Sequence, residues 1–367
     1  MKLDLLLRNE GIDIVRELSK QEVSTIAKDV AIKLCLAFPE HNLNRLDLYN
    51  ALSEIKMYYA NLPKDFSGAK YILENNSIYF NSNLPFENIP TTSMHECIHF
   101  IQHYNSEQSF GLSSSTKDIS LNEAAVQLMA SEANMQPEVE VKYFDINIKT
   151  ISPDYYPLEC SLLNQIAYFT GTYPLYNSVL FSNDIFKNTF ITKFNKKVYA
   201  NLIKRLDYIL SLENELNCYM EELVCATKPK LIENLNKLIN YKKGKIMAVY
   251  FQTQNYIMRT CFNYEFNTIR TLEDIHDFKN KLYGFKNYIG YNDDYTYYND
   301  FYRSMMNLLA TKKEQMEASG EINLLPSEST ALVLIDTRKN SLTFVKTFFR
   351  KIKELFKSEV SKDYINE

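Results

Sequence analysis

The chain has 367 residues, enough for two or three packed units, and 46% of them are apolar. Only 8 glycines and 10 prolines are present, so we expect few tight turns and a predominantly helical protein rather than a β-sandwich or propeller. Acidic and basic residues nearly balance, at a formal net charge of −4, which argues against a general nucleic-acid binder. The sequence contains neither a glycine-rich phosphate loop nor a G-x-S-x-G nucleophile motif.

The sequence also limits the compartment in which the protein is expected. Its N-terminal apolar run is short and soon followed by charged residues, and no stretch of 18 apolar residues occurs. We therefore predict neither a secretion signal nor an integral membrane segment. The six cysteines form no C-x-x-C pair, which argues against a disulfide framework or a cysteine zinc ribbon. These features favour a soluble, cytoplasmic protein, and they give no indication of its oligomeric state.

The first part of the chain changes from a helical period to a strand period. Apolar residues recur at helical spacing over residues 22–38 and 45–59, and this spacing predicts two helices. Two short apolar runs then follow at 69–73 and 77–80, separated by Glu74-Asn75-Asn76, which is typical of a β-hairpin.

The second part of the chain has a continuous helical period. From about residue 157 onward almost every segment is amphipathic. An apolar stripe over 202–223, a break at Pro229 and a second stripe over 231–261 predict a helical hairpin or bundle. Near the C-terminus, residues 331–335 predict a strand and residues 343–356 a basic amphipathic helix.

The segment from Met94 to His103 carries the clearest chemical signal. Its core, His95-Glu96-Cys97-Ile98-His99, is an H-E-x-x-H pattern. Histidines four residues apart lie on one helix face, so both imidazoles can bind one Zn²⁺ while Glu96 polarises a metal-bound water. The alternative is that His95 and His99 only occupy the polar face of an amphipathic helix. His103 lies about 12 Å from His95 along the axis, so we expect a hydrogen-bonding partner of the ligands or an ordinary surface histidine.

A catalytic zinc site needs a third protein ligand. Gln102 and Asn105 stand where the metzincin extension requires Gly and His, which excludes that branch. Glu123 lies on an otherwise apolar segment, where an unpaired carboxylate would be costly. We therefore predict it as the third ligand, although Ser120 and Glu123 also fit a capping box, in which Glu123 would bond a backbone N–H. Glu132 lies about half a turn around the same helix and is a weaker candidate.

A group that stabilises a developing oxyanion is harder to identify. Tyr155 and Tyr156 follow the ligand segments, and we take Tyr156 as the candidate, although most of the 27 tyrosines are expected to serve packing. His276 is the alternative donor, and it also fits an ordinary helix-surface histidine.

The order of these features resembles the gluzincins, the thermolysin-like class of zinc metallopeptidases. The features are a helical lead-in, a strand at 78–80, the helix with His95-Glu96-x-x-His99, and Asn122-Glu123 on the next helix, over roughly residues 20 to 175. The resemblance implies one Zn²⁺ per chain held by His95, His99 and Glu123, with Glu96 as general base. It also implies an edge strand at 77–81 that pairs with an extended peptide or protein substrate.

One position departs from the resemblance. Where the class usually has an aspartate four residues after the ligand glutamate, this chain has Gln127. Gln127 shares the face of Glu123 and can hydrogen-bond a ligand imidazole, but it carries no charge to raise the basicity of that ligand. Two alternatives to a peptidase therefore stay open: a non-catalytic or weakly active zincin-like binding or regulatory protein with a helical interaction domain, and a zinc hydrolase acting on a non-peptide amide.

The prediction for the whole chain is an α+β fold that is predominantly helical. We expect a zincin-like catalytic domain with a small antiparallel sheet, then a helical domain, then a C-terminal strand and amphipathic helix, at residues 1–175, 176–327 and 328–367.

Overall fold

A computed structural model describes residues 3–63, 68–106, 111–112, 119–289 and 296–319. These residues are mostly helical with a small sheet, which confirms the predicted α+β class. The strands are β1 (Asp13–Glu17), β2 (Lys56–Asn61), β3 (Ala69–Ile72), β4 (Ser77–Asn81), β5 (Val139–Tyr143) and β6 (Ile146–Thr150). The helices are α1 (Leu3–Asn9), α2 (Lys20–Ala37), α3 (Arg45–Ser53), α4 (Ile89–Asn105), α5 (Ile119–Ala133), α6 (Pro157–Thr170), α7 (Thr172–Phe181), α8 (Ile185–Phe194), α9 (Lys196–Cys225), α10 (Pro229–Thr268), α11 (Leu272–Gly284) and α12 (Thr296–Ser319).

The main sheet has four strands in the order β1-β2-β4-β3, and β5 and β6 form a second sheet of two strands. Strands β2 and β4 are parallel, with Lys56 opposite Ser77, whereas β1–β2 and β3–β4 are antiparallel. The prediction of a small antiparallel sheet therefore holds for the β1–β2 and β3–β4 pairs and fails for the β2–β4 pair, so the sheet is mixed. Residues 77–80 of β4 are all buried, and a strand buried on both faces belongs in the centre of a sheet. The β3–β4 hairpin accordingly places β4 beside β2, and this contact is parallel.

The two edge strands of this sheet are β1 and β3. Residues 77–81 were predicted as the edge strand, and this was wrong because β4 is hydrogen-bonded to a neighbour on both sides. The predicted hairpin itself is confirmed: Tyr71 lies opposite Ile78, and Asn76 closes the turn in the left-handed conformation at φ 51°. An asparagine tolerates that conformation better than most residues.

The predicted helix at 45–59 is only half correct. Helix α3 ends at Ser53, and β2 begins at Lys56. Met57, Tyr59 and Ala60 are buried in β2, and aromatic side chains fit the pleated surface of a sheet. The apolar residues of this segment are compatible with a helix or a strand, and its pairing with β1 and β4 makes it a strand.

Strands β1, β5 and β6 were not predicted. The β5–β6 hairpin turns at Phe144 and Asp145, which both have positive φ values, of 46° and 66°. Such a turn usually contains Asn-Gly or Asp-Gly, so the residues Phe-Asp gave no turn signal. The alternation of apolar and polar residues over 139–143 and 146–150 was the available signal.

The helical period of the second part is confirmed by α9, which spans 30 residues, and by α10, which spans 40. The described residues divide between two compact units, one within Met1–Cys261 and Leu282–Asp300, the other within Phe262–Lys281 and Phe301–Glu367. The strand and helix predicted at 331–335 and 343–356 lie outside the described residues. Among the described residues, no helix combines the length and apolar character needed to span a membrane.

Candidate metal centre

Helix α4 presents its polar face to a cleft. The opposite face, which includes Met94, Cys97 and Ile98, is fully buried, so the helix is fixed by its apolar side and His95 and Glu96 remain partly accessible. Helix α5 packs beside α4, and its Ala124 and Ala125 are fully buried. This packing of α5 on α4 brings Glu123 to the two histidines.

The predicted ligands converge on one point. The Nε2 atoms of His95 and His99 are 3.0 Å apart, and Oε2 of Glu123 lies 3.2 Å from the first and 3.4 Å from the second. These three residues form a group that can hold a metal ion. Zinc–ligand bonds of 2.0 to 2.1 Å in a tetrahedron place neighbouring ligand atoms about 3.3 Å apart. The donor set and its spacing therefore fit Zn²⁺.

A chain of hydrogen bonds at Nδ1 of His99 orients the lone pair of its Nε2 toward the place where the three ligand atoms converge. The backbone N–H of Leu112 donates to Oδ1 of Asn122 at 3.1 Å, which makes that oxygen an acceptor. Nε2 of Gln102 also donates to it at 3.0 Å, so Oε1 of Gln102 is the atom that faces Nδ1 of His99, at 3.1 Å. Nδ1 therefore carries the hydrogen, and in the neutral imidazole Nε2 is left as the metal-binding atom.

His95 is held in the same way by Gln127. Oε1 of Gln127 lies 2.9 Å from Nδ1 of His95, and its Nε2 donates to Oγ of Ser131 at 3.2 Å. Gln127 thus occupies the supporting position that the sequence predicted for it. Both ligand histidines are supported by neutral amides rather than by carboxylates.

Glu123 does not act as a helix cap. In a capping box its carboxylate would accept the backbone N–H of Ser120, but that N–H donates to Asp207 at 3.3 Å. Oγ of Ser120 has no hydrogen-bond partner among the described residues. The carboxylate of Glu123 instead lies against the two imidazoles. Glu132 faces away from the site, as expected, and accepts a hydrogen bond from Tyr176 at 2.7 Å.

The charges of the cluster favour a cation between the ligands. Burial disfavours the protonated form of His99, but the neighbouring Glu123 and Glu96 carboxylates outweigh this and raise the pKa of His99 to about 9. Burial likewise disfavours ionised Glu123, but His99 and His95 outweigh it and lower the pKa of Glu123. A site that stabilises positive charge at its centre is suited to a metal cation.

The candidate general base lies between the ligands and the edge strand. Oε2 of Glu96 accepts a hydrogen bond from the backbone N–H of Tyr71 in β3, at 2.7 Å. Glu96, His95, His99 and Glu123 line one cleft of about 690 Å³, and β3 forms one of its walls. The catalytic candidates and the edge strand β3 therefore line the same cleft.

Tyr156 lies beside the ligands. Its ring is nearly parallel to that of His95 at 6.3 Å, and it lines the same cleft as Glu123. It has φ 49° and ψ 42° immediately before Pro157, a left-handed conformation that is uncommon for a bulky residue. Burial, together with the carboxylates of Glu123 and Glu96, raises the pKa of the Tyr156 phenol, which keeps it a hydrogen-bond donor.

Three further residues were candidates from the sequence: Tyr155, His103 and His276. Tyr155 also lines the cleft. His103 does not contact the ligands: its Nδ1 lies 2.8 Å from the phenol oxygen of Tyr71. His276 lies on α11, in the second compact unit, and its ring contacts Asn280.

Sequence reasoning missed the supporting roles of Gln102, Asn122 and Tyr71. Gln102 follows His99 by three residues, a spacing at which two helical side chains are neighbours, and it is fully buried. That spacing was the available signal for Gln102, whereas the role of Tyr71 depends on tertiary structure.

In comparisons with protein-family models, curated proteins and solved structures, the chain matched none.

Proposed function

We propose that this protein is a zinc-dependent metallopeptidase that hydrolyses peptide bonds with a glutamate general base. The observation that carries the proposal is the convergence of His95 Nε2, His99 Nε2 and Glu123 Oε2 at tetrahedral spacing, with Glu96 in the same cleft. Two histidines and one glutamate are the ligand set of several catalytic zinc sites.

Each residue then has a defined task. His95, His99 and Glu123 would hold one Zn²⁺, which when bound supplies a Lewis acid and lowers the pKa of its bound water. Glu96 accepts the proton of the attacking water and passes it to the leaving amine. Tyr156 donates a hydrogen bond to the oxyanion that develops on the scissile carbonyl, because its phenol remains protonated beside the ligands.

The edge strand provides the support for an extended substrate. In an antiparallel ladder, alternate residues direct their backbone groups away from the neighbouring strand. Tyr71 is such a residue, since its N–H donates to Glu96 and not to β4. The outward backbone groups of β3 can pair with a peptide that lies along the cleft, which favours a peptide or protein substrate over a small amide.

A binding or regulatory protein with a zincin-like site is the second candidate. The neutral support of His95 by Gln127 favours it, because a carboxylate in that position would make the ligand more basic. This candidate predicts zinc binding without turnover.

The decisive experiment combines metal analysis with one isosteric variant. Protein purified without a metal-affinity tag or chelator is expected to contain about one zinc per chain. Glu96→Gln should keep the zinc and lose cleavage of a mixed peptide library, whereas the control Glu132→Gln, on the far side of α5, should keep both. Zinc-loaded wild-type protein without hydrolysis would favour the binding protein, and a chain that takes up no added zinc would refute the peptidase and leave a binding protein without metal.

A further inference from the structure

A pair of buried carboxyl groups lies outside the ligand set. Glu159, in the first turn of α6, is fully buried, and Glu213 of α9 is 5% exposed. Helices α6 and α9 pack against each other, the two carboxyl groups act on each other there, and the phenol of Tyr143 in β5 acts on Glu213. Neither group has a role in the proposed hydrolysis.

The pair has no visible source of positive charge. Neither oxygen of Glu159, nor Oε1 of Glu213, has a hydrogen-bond donor in another of the described residues. Within the same part of the chain, no lysine, arginine or histidine acts on either carboxyl group. Two buried carboxylates in contact repel each other, and each would also lose its hydration. One of them must therefore carry a proton, which turns it into a donor for the other.

We propose that Glu159 and Glu213 share one proton, and that this proton holds α6 against α9 beside the cleft. Helix α6 begins directly after Tyr156, and α9 contributes Leu210 and Asn214 to the cleft wall. Loss of the proton would place two negative charges between the helices that carry these groups. The proposal does not depend on zinc or on peptidase activity.

The neighbouring titratable groups agree with this assignment. Burial raises the pKa of Glu159, and burial together with Glu159 raises the pKa of Glu213. Tyr143 from β5, and Tyr156 and Cys160 from α6, are the other titratable groups facing the pair. Burial raises the pKa of all three, so they remain neutral and supply no compensating charge.

The direction of the pH effect follows from linkage. Above the usual glutamate value of 4.5 the unfolded chain has released both protons, whereas the folded chain keeps one. The stability contributed by the pair is therefore complete at acidic pH and is lost as the pH rises through the raised folded-state pKa.

The test uses Glu213→Gln, whose amide replaces the shared proton with a permanent donor, and Glu159→Gln as a second variant. Between neutral and alkaline pH, the denaturation midpoint of the wild type should fall more steeply than that of either variant. The difference in slope should correspond to the release of one proton from the folded protein. The matched control is Glu215→Gln, on the same helix but exposed, and it should retain the wild-type slope. Infrared spectra should show the C=O stretch of a protonated carboxylic acid in the wild type at neutral pH, and lose it in Glu213→Gln.

Two results would overturn the proposal. One is an unchanged pH slope in the variants together with no protonated-acid band in the wild type. The other is a midpoint that rises on addition of Ca²⁺ or Mg²⁺ in the wild type but not in Glu213→Gln, since a cation and not a proton would then join the two carboxylates. If neither variant folds, the infrared band of the wild type decides by itself.

Discussion

The backbone N–H of Tyr71 donates to the carboxylate of Glu96 at 2.7 Å, so the edge strand β3 is hydrogen-bonded to the candidate general base. The phenol of the same residue lies 2.8 Å from Nδ1 of His103, two turns further along α4. Tyr71 therefore joins β3 to the helix at two points. In the proposed function, a peptide paired with β3 would lie next to Glu96, because the same strand positions that carboxylate.

The backbone bond to Glu96 can be tested by comparing two substitutions at position 71. Proline is tolerated on an edge strand where its N–H would point away from the sheet, so Tyr71→Pro removes the N–H, while Tyr71→Ala removes only the side chain. We expect both to bind zinc, and Tyr71→Pro to have a kcat about ten- to a hundredfold lower than Tyr71→Ala, the effect of one hydrogen bond to a charged group. Equal kcat values with peptide substrate would contradict a positioning role for this bond.

The amide support of His95 predicts a graded effect on zinc affinity. Gln127→Ala should weaken zinc binding by about ten- to a hundredfold, the usual cost of losing a partner that orients a ligand. Gln127→Glu should bind zinc at least as tightly as the wild type, because a carboxylate makes the imidazole more basic. Competition with a chromogenic chelator measures both. Ser131→Ala, which removes only the partner of the Gln127 amide, is the control and should change the affinity least.

Gly111 makes the support of His99 sensitive to a single methyl group. It has φ +58°, and a Cβ atom there would lie 2.1 Å from Nε2 of Gln102 and 2.3 Å from Oδ1 of Asn122. We expect Gly111→Ala to lower the free energy of unfolding by more than about 1 kcal/mol and to weaken zinc binding. Gly244→Ala, in α10 with no atom within 4 Å of the added Cβ, should instead be neutral or stabilising by up to about 1 kcal/mol. Chemical denaturation distinguishes the two, and a neutral Gly111→Ala would show that the packing around Gln102 adapts.

His41 predicts a loss of stability in mild acid. Its ring stacks on Tyr173 at 4.6 Å, neither ring nitrogen has a hydrogen-bond partner in the described part of the chain, and burial lowers its pKa despite the nearby Glu40. The unfolded chain therefore takes up a proton first, so stability should fall as the pH drops below the usual value of 6.5. His41→Phe should remove this component of the pH dependence in thermal denaturation, whereas His276→Asn should retain it.

The sequence predicted those parts of the site that depend on local spacing. His95, Glu96 and His99 follow from a helical period, and Glu123 from the cost of a carboxylate in an apolar helix. The sheet order could not be read in the same way, because the hairpin pattern is the same whether β3 or β4 lies at the edge. The contact of Tyr71 with Glu96 was equally hidden, since it joins a backbone N–H to a residue 25 positions away.

The supports of both ligand histidines consist of uncharged groups. Among the described residues, these supports include the amides of Gln127, Gln102 and Asn122, the hydroxyl of Ser131 and the backbone N–H of Leu112. None of these groups titrates in water at ordinary pH, and neutral hydrogen bonds respond little to ionic strength. The geometry of the two imidazoles should therefore respond little to pH and salt over the range in which the fold persists.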